Sequence, residues 1–420
     1  MRPAAAPATV AALAILAYLP SLAGVFQFDD YNVIVNDPTV HSWGALLDGA
    51  SSGIRPLLKA SYTLNWSLGL GFSFFNIAVH AANAALLFLI GERLFGDRRA
   101  AWIAALLFAF HPAATEAVTY ISGRSTSLMA LLYLGAMLAY LRGAHWSVSG
   151  ALFLAALATR ETAVTLPAAL LLCELCGDKG LSFKRIIQRQ WAHWALLLAF
   201  ALFVLLDPRY FDLVAYGYGE RSLADNLLTQ VGGVSYLILR LVSLHGYNID
   251  PALPTLTEWT PVLAVQAFSL LLLFTVGVMN LGARPWIAFG VLWFFLQLAP
   301  TNSLVPRLDV VSDRQLYLAS WGLFLALSIQ LRHLPNFAFA GLVMLFAATS
   351  ILRQLDYRSE IALWESSVAL SPWNARGHNN LGYAYQLAGR TRDARREYQA
   401  ALALDPGYAK ARLNLRFLGD

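Results

Sequence analysis

The sequence predicts an all-α polytopic membrane protein with about eleven transmembrane helices and a short C-terminal domain of helical repeats. Hydrophobic residues account for 58% of its 420 residues and charged residues for only 13%, whereas soluble domains carry roughly 45–50% and about 25%. Apolar runs that approach the ~20 residues needed to cross a bilayer recur along most of the chain. Beyond Leu352 the composition changes abruptly to polar, helix-forming residues, which predicts a separate domain.

The apolar runs define the predicted spans. The first has no convincing signal-peptide cleavage site before Asp29, so we expect it to be retained. Two others, at 147–159 and 162–176, are short for a bilayer and predict a broken hairpin around Arg160 and Glu161. The eleven predicted spans are residues 8–26, 72–95, 99–118, 125–142, 147–159, 162–176, 191–206, 261–281, 285–300, 317–332 and 335–353.

Basic residues in the short loops between these spans all fall on one side of the predicted membrane. They are Arg98, Arg99, Arg142, Lys179, Lys184, Arg185, Arg189, Arg284 and Arg332. The positive-inside rule places that side in the cytoplasm. The formal charge of +5 therefore reflects membrane topology, and no basic face that would predict nucleic-acid binding is present.

The opposite side receives two long loops, at residues 27–71 and 207–260. Both are rich in Asp, Tyr, Trp, Gly and Pro, which predicts folded segments rather than simple connectors. Within the second loop, Leu223 to Leu244 carries Asp225, Asn226, Gln230 and Arg240. We predict an interfacial amphipathic helix there, although a twelfth span is the alternative.

The polar tail contains a helical repeat, and we place a membrane domain at residues 1–353 and a repeat domain at 354–420. The tail matches the 34-residue tetratricopeptide pattern of two antiparallel helices. The matching positions are Leu381, Gly382, Tyr385, Ala394, Tyr398, Ala401 and Pro406. Because so short an array is marginally stable alone, we expect it to pack on the membrane domain or on a protein partner.

Ionisable and polar residues gather near one end of the predicted spans. Because charge at membrane depth is costly, such residues indicate a functional site. All of them belong to the extracytoplasmic half, so a shared cavity explains them better than scattered loop charges. The predicted substrate pocket comprises Arg55, Asn76, His80, His111, Glu116, Glu161, Asp313 and Tyr317, beside Asp29, Asp30, Arg124, Arg160 and Arg314.

The chemistry that suits this set is sugar transfer from a polyprenyl phosphate held in the membrane. An attacking hydroxyl must lose its proton, which a carboxylate accepts; we predict Asp29 as the base and Asp30 as the residue that orients the acceptor. The leaving phosphate needs guanidinium donors. Arg314, Arg160 and Arg124 are the predicted phosphate ligands.

Structural interpretations of the same residues stay open at this point. His80 is compatible with a helix-packing histidine, and Arg160 with Glu161 with a structural ion pair. Arg55 is compatible with an anchor for the first loop, and Arg124 with a capping or snorkelling arginine.

Asp29 and Asp30 have two alternative interpretations. They are compatible with interfacial loop charges that follow the first span, and with a metal site, since paired carboxylates suit hard cations. No third acidic ligand is evident in the sequence, so no cofactor is predicted.

Six short motifs resemble the transmembrane and tetratricopeptide-repeat-containing O-mannosyltransferases and their bacterial relatives. The similarity spans nearly the whole chain and keeps the order of membrane domain and repeats. The motifs are Phe28-Asp29-Asp30-Tyr31 with Ile34-Val35-Asn36, Arg55-Pro56-Leu57, Asn76 to His80, His111-Pro112 with Glu116-Ala117-Val118, Arg160-Glu161, and Asp313-Arg314-Gln315-Leu316-Tyr317-Leu318.

The resemblance implies a glycosyltransferase of the GT-C fold that transfers a mannose-like monosaccharide, with inversion, from a polyprenyl-phosphate donor to an extracytoplasmic protein Ser or Thr hydroxyl. It implies an acidic pair in the first loop, which falls on Asp29 and Asp30, and repeats that help present the acceptor. A required metal is unusual in this family. For a bacterial relative, the location implied is the inner membrane with site and repeats on the periplasmic side. This chain departs from larger members in having very few repeats, and in having Asp30 where related mannosyltransferases often have Glu, so peptide and lipid-linked glycan acceptors stay open.

Two other functions are compatible with the sequence. An oligosaccharide ligase or polymerase acting on diphosphate-linked glycan normally shows a large late loop, whereas the loop before Arg314 is short. A non-enzymatic scaffold would dock partners through the repeats. A transporter should show broken helices in matched halves, which the sequence does not.

Overall fold

The computed structural model of the protein describes residues 5–49, 53–177 and 182–419, which form helices and connecting loops with no strand among them. The all-α fold class is thereby confirmed. In chain order the α-helices are α1 Ala5–Tyr18, α2 Trp43–Asp48, α3 Pro56–Leu68, α4 Phe72–Phe95, α5 Arg98–Phe110, α6 Thr115–Val118, α7 Arg124–Leu141, α8 Trp146–Thr159, α9 Leu166–Cys176, α10 Phe183–Leu206, α11 Pro208–Glu220, α12 Leu223–Ser243, α13 Pro261–Met279, α14 Pro285–Leu298, α15 Leu316–Leu331, α16 Asn336–Asp356, α17 Glu360–Leu370, α18 Ala375–Leu387, α19 Thr391–Leu404 and α20 Ala409–Phe417.

Every predicted span is helical, but the count of eleven transmembrane helices is not confirmed. Within the described ranges six helices are long and apolar enough to cross a membrane, or seven if α5 and the segment Pro112–Val118, bent by 58°, form one broken span. Helices α8 and α14 have 14 residues each and α9 has 11, all below the usual spanning length. The six long apolar helices show a multi-pass membrane protein.

The centre of the bundle is an apolar core. Its fully buried large side chains include Phe88, Phe108, Tyr133, Trp293 and Trp321. Helices α14 and α15 approach closely where Gly290 faces Gly322, since a Cβ on Gly290 would lie 2.5 Å from the Gly322 carbonyl oxygen. Small residues at such a crossing let two membrane helices pack backbone to backbone.

The first long loop is folded, as predicted. It contains a π-helical turn at Tyr31–Val35, a 3-10 turn at Pro38–Val40 and helices α2 and α3. Helix α3 follows Arg55, whose φ of 60° lies in the left-handed region. Helix α3 contacts α4, α7 and α8, so the loop lies against the bundle.

The second long loop contains α11 and α12. Helix α12 is not among the described helices apolar enough to cross a membrane, and it turns polar residues toward the segment before α15. Asn226 Nδ2 donates to the Ser303 carbonyl at 2.7 Å, and Asn302 Nδ2 donates to Gln230 Oε1 at 2.9 Å. The interfacial position of α12 stays a prediction, as does the placement of Lys179, which lies outside the described residues.

The repeat region, helices α17 to α20, packs on the membrane domain through α17 and the start of α18, as expected. Trp364 stacks edge-on against Phe28 with ring centroids 5.2 Å apart, and Asn248 Nδ2 donates to Ser371 Oγ at 3.0 Å. Helix α16 continues to Asp356, so the predicted boundary after residue 353 falls inside its last turn. The division into these two domains stays a prediction.

Candidate active site

A cavity of about 500 Å³ opens where the first loop, α11 and the segment before α15 meet. We call it the central cavity. The residues predicted from sequence that line it are Asp29, Arg55, Arg160, Glu161 and Arg314. They come from three distant parts of the chain: the first loop, the break between α8 and α9, and the start of α15. The predicted convergence of charge on one cavity therefore holds for these five residues.

Asp29 presents the free carboxylate of the cavity. Its backbone N–H donates to the Tyr120 hydroxyl at 3.0 Å, and its half-buried carboxylate accepts no hydrogen bond from any described residue. Burial raises the pKa of Asp29, while the charge of Arg314 opposes the rise and Asp309 adds to it. A carboxylate with a raised pKa and no bound donor is a better proton acceptor than an ordinary aspartate.

Asp30 points the other way and is fully buried beneath the loop. One oxygen accepts from the backbone N–H and hydroxyl of Ser122, and the other accepts from the Gln27 N–H at 3.0 Å. Burial raises its pKa to about 7 against these hydrogen bonds. The carboxylate does not reach the central cavity, so the geometry does not support the predicted role in orienting an acceptor. Asp30 instead fixes the backbone that carries Asp29.

This geometry also does not fit a metal shared by Asp29 and Asp30, because both oxygens of Asp30 are occupied by N–H or O–H donors. Across the described ranges no group of three or more His, Cys, Asp or Glu side chains is placed to hold an ion.

Arg160 is buried at the cavity wall. Its Nη1 donates to Ser125 Oγ and Thr126 Oγ1, each at 2.8 Å, and no carboxylate of the described residues lies within ion-pair distance. Burial, and then the neighbouring arginines Arg55 and Arg314, depress its pKa. An unpaired guanidinium in a cavity wall is poised to bind an anion.

The structural ion pair forms between Glu161 and Arg55 instead. Arg55 Nε lies 3.0 and 3.1 Å from the two carboxylate oxygens, and Nη2 lies 2.8 Å from Oε2. Burial opposes the ionised form of Glu161, but Arg55 holds its pKa below the ordinary value. This two-pronged pair ties the first loop to the α8–α9 break, which supports an anchoring role for Arg55.

Arg314 is held in place by Glu116. The Glu116 carboxylate accepts from the Arg314 backbone N–H at 3.1 Å and from Ser312 Oγ at 2.7 Å, and lies 3.5 Å from Arg314 Nε. Arg314 and Arg160 also line a small adjoining pocket of about 30 Å³ that contains Thr126 and Gln297. Two guanidiniums therefore line the same space.

The other predicted site residues lie in the core rather than in the central cavity. His80 Nδ1 and Asn83 Nδ2 bond the Tyr317 hydroxyl at 2.8 and 3.0 Å, and His111 Nε2 lies 3.1 Å from the Leu241 carbonyl. Asp313 is buried and accepts from the Asn248 N–H at 2.7 Å. These contacts support the structural interpretation of His80 and place His111 and Tyr317 in the same core.

Arg124 is likewise structural and not a wall of the cavity. Its guanidinium is fully buried and donates to Asn76 Oδ1 at 2.7 Å and to the Ser61 and Phe72 carbonyls at 3.0 Å. Three of its five N–H groups therefore donate to protein acceptors, and the side chain does not line the central cavity. These contacts do not support the predicted role of Arg124 as a phosphate ligand and agree with a structural role.

Replacing Arg124 with Met should destabilise the protein without a specific loss of donor affinity. Each hydrogen-bond acceptor left unpaired where α3, α4 and α7 meet lowers the free energy of unfolding by about 1–3 kcal/mol. We expect a lower melting temperature in detergent and an unchanged KM for donor in the remaining folded fraction. A raised donor KM with unchanged melting temperature would return Arg124 to the site.

Two charged cavity residues in the segment before α15 were not predicted from the sequence. Arg307 and Asp309 line the central cavity, and burial together with Arg314 and Arg55 lowers the pKa of Arg307. Both residues lie only a few positions before Asp313 and Arg314 in the sequence. Charged residues in a loop that leads into the motif were the available signal.

The tetratricopeptide repeat family matches residues 375–408. The protein O-mannosyl-transferase F38B6.6 of Caenorhabditis elegans is 25% identical over 94% of this chain and 62% of its own length. Tmtc1 of Drosophila melanogaster is 26% identical over 96% and 62%, and human TMTC4 is 26% identical over 89% and 63%. Both carry the same protein O-mannosyl-transferase name.

The resemblance inferred from the short motifs is thereby confirmed. This chain spans less than two thirds of the length of these relatives. No solved structure matches the chain.

Proposed function

We propose that this chain is a GT-C glycosyltransferase that moves a mannose-like monosaccharide from a polyprenyl-phosphate carrier to a protein Ser or Thr hydroxyl. One observation carries the proposal: Asp29 and Arg160 share a cavity with Arg314. Among the described residues, the Asp29 carboxylate accepts no hydrogen bond and the Arg160 guanidinium has no carboxylate partner. The likeness to proteins named as O-mannosyl-transferases supports the same reaction.

In this mechanism the acceptor hydroxyl gives its proton to the Asp29 carboxylate. Its oxygen forms a bond to the anomeric carbon while the bond from that carbon to the phosphate oxygen breaks. The leaving oxygen keeps the electron pair, and N–H groups of Arg160 and Arg314 stabilise the charge it gains. Attack from the face opposite the phosphate inverts the anomeric centre.

An apolar rim supports a lipid-linked donor. Leu213 and Val214 of α11, with Val305 and Leu308 of the facing segment, line the central cavity yet are exposed at its mouth. A polyprenyl chain could lie along this rim with its phosphate reaching inward. The donor then need not leave the membrane.

The topology proposed for the chain puts the cavity and the repeats on the periplasmic side of a bacterial inner membrane. The first loop and the repeats contact each other, so they share a side. Basic loop residues such as Arg98 and Arg99 lie at the opposite ends of their helices, where the cytoplasm is expected.

The donor class can be tested with purified protein in lipid nanodiscs and a pool of Ser/Thr-containing peptides. Three labelled donors are compared: a polyprenyl-phosphate mannose, a polyprenyl-diphosphate glycan and a nucleotide sugar. We expect label in peptide hydroxyls from the first donor alone, with or without EDTA. Transfer from the diphosphate donor alone would favour the ligase alternative, and transfer from none would favour a scaffold.

If the apolar rim binds the donor lipid, a mutation in the rim should affect the KM for a long-chain donor but not for a short-chain donor. Replacing Leu308 with Gln should raise KM about tenfold for a long-chain donor, because burying a leucine contributes about 1.5–3 kcal/mol. A short-chain donor that cannot reach the rim should be unaffected. Leu304→Gln is the control, since Leu304 is exposed but does not line the cavity; equal effects on both donors would contradict the rim.

A further inference from the structure

Arg376, on the first helix of the repeat unit, reaches into the membrane domain and bridges two carboxylates. Its Nε and Nη2 each lie 2.6 Å from an oxygen of Asp250, and Nη2 also lies 2.6 Å from Asp309 Oδ1. Asp250 is only 3% exposed, whereas Asp309 lines the central cavity. One repeat side chain therefore connects a buried anchor to the wall of the proposed active site.

The contact is fixed by further hydrogen bonds around Asp250. Asn374 Nδ2 donates to the Asp250 carbonyl at 3.1 Å, and Ser371 Oγ donates to the Pro251 carbonyl at 2.8 Å. These bonds hold the start of α18 against the 248–252 segment. The backbone that carries Arg376 is therefore held in place by hydrogen bonds. A rigidly held backbone allows the Arg376 side chain to fix the position of Asp309.

Charged and titratable groups from several elements face Asp29. Arg314 lies before α15, Asp309 in the segment before it, and Arg376 on α18. Asp30 and the Tyr120 hydroxyl adjoin it, and Glu360 of α17 accepts a hydrogen bond from the Phe28 backbone. Arg376 and Asp309 act on Asp29 with opposite sign.

Resting on the proposed function, we propose that Arg376 is a positioning residue of the active site, through which the repeat unit holds Asp309 in the cavity wall and sets the charge around the base Asp29. The repeats are then part of the catalytic apparatus, and their role is not limited to contacting an acceptor. The opposite charges of Arg376 and Asp309 account for the hydrogen bond between the repeat helix and the segment before α15.

Arg376 and Asp309 have opposite effects on the pKa of Asp29, and this difference provides the test. The positive charge of Arg376 lowers the pKa of Asp29 and the negative charge of Asp309 raises it. Removing Arg376 should therefore move the acid limb of the pH–rate profile to higher pH. Removing the Asp309 charge should move the same limb to lower pH.

We would measure kcat/KM against pH for the full-length protein in nanodiscs and for the variants Arg376→Gln, Arg376→Lys and Asp309→Asn. Arg376→Gln should lower activity roughly 10- to 100-fold, as displacement of a catalytic group by about 1 Å does, and shift the limb upward. Arg376→Lys should largely restore the position of the limb. Asp309→Asn keeps the hydrogen bonds from Arg376 to Asp250. It therefore tests the effect of the Asp309 charge on Asp29 even if Arg376→Gln folds poorly.

The control is Arg390→Gln in the same repeat unit, where Arg390 pairs with Asp393 at an exposed position. It should leave rate and profile unchanged. Activity lost in Arg376→Gln without a shift, together with an unshifted Asp309→Asn profile, would overturn the proposal.

A readout without sugar transfer separates this inference from the proposed function. A water-soluble carbodiimide modifies protonated carboxyl groups, so the pH midpoint of Asp29 labelling, followed by mass spectrometry, reports its protonation directly. The midpoint should move in opposite directions in Arg376→Gln and Asp309→Asn even if no donor is turned over. Identical midpoints in wild type and both variants would overturn the inference whatever the activity.

Discussion

Replacing Asp29 with Asn is expected to reduce sugar transfer about 10²- to 10⁴-fold, the usual contribution of a general base. The amide cannot accept the proton of the acceptor hydroxyl. Because the Asp29 carboxylate accepts no hydrogen bond from the described residues, the melting temperature and the KM for donor should stay close to those of the wild type. Initial rates in nanodiscs at saturating donor provide the measurement.

Asp30→Asn is the matched comparison, since it makes the same chemical change one residue away. Both Asp30 oxygens accept hydrogen bonds from backbone N–H groups, and an amide would turn an N–H toward one of them. We expect lower thermal stability together with lower activity. If Asp29→Asn retained full transfer while Asp30→Asn lost it without unfolding, the two roles would have to be exchanged.

The pH dependence of the wild type follows from the same residue. A base must be ionised to act, and burial raises the pKa of Asp29. Transfer should therefore fall on acidification at a pH above the ordinary range of an aspartate. In Asp29→Asn the residual rate should lack that acid limb.

Arg160→Gln is expected to lower kcat roughly 10²- to 10³-fold, as the loss of one oxyanion donor does in other enzymes. Gln can still bond Ser125 and Thr126, so the local fold should persist, but the charge facing the leaving phosphate is gone. Arg160→Lys should recover only part of the rate because an ammonium lacks the planar fork. Single-turnover rates with pre-bound donor measure the step itself.

The control for Arg160 is Arg93→Gln, an arginine near the opposite end of the bundle that contacts the Leu141 carbonyl at 3.4 Å. This change should leave transfer unaffected. Equal rates for Arg160→Gln and wild type would remove Arg160 from the phosphate site, and an effect confined to stability would make it a structural residue.

The sequence predicts helices well because apolar length and loop charge are local properties. Every predicted span is helical in the structure, and the break at Arg160 and Glu161 falls between α8 and α9. The number of spans could not be predicted in the same way. Whether a 14-residue helix such as α8 or α14 crosses the bilayer depends on tilt and packing, which composition does not record.

The site was predicted in part. Sequence placed costly charges at one end of the bundle, but it could not distinguish Asp29 from Asp30. The left-handed backbone at Phe28, with φ of 48°, precedes the two aspartates, one of which reaches the cavity while the other is buried. Arg160 and Arg124 could not be distinguished from the sequence either. Only the acceptors that each guanidinium contacts in the folded protein indicate that Arg160 can bind an anion and that Arg124 is held in the core.

One wall residue of the cavity, Asp309, is bonded to a distant segment of the chain. Asp309 and Arg376 are 67 residues apart and carry no motif that connects them, yet they form a bond of 2.6 Å. A polar repeat docked on the membrane domain was predicted. The contact between that repeat and a carboxylate of the cavity wall could be seen only in the structure.

The most direct test of the shared cavity is a cryo-electron-microscopy structure of Asp29→Asn with a bound polyprenyl-phosphate sugar. We predict the phosphate between Arg160 and Arg314, the lipid along Leu213 and Leu308, and the anomeric carbon open to attack from the side of residue 29. The shared cavity would be contradicted if the donor phosphate contacted neither arginine or if the sugar lay away from residue 29.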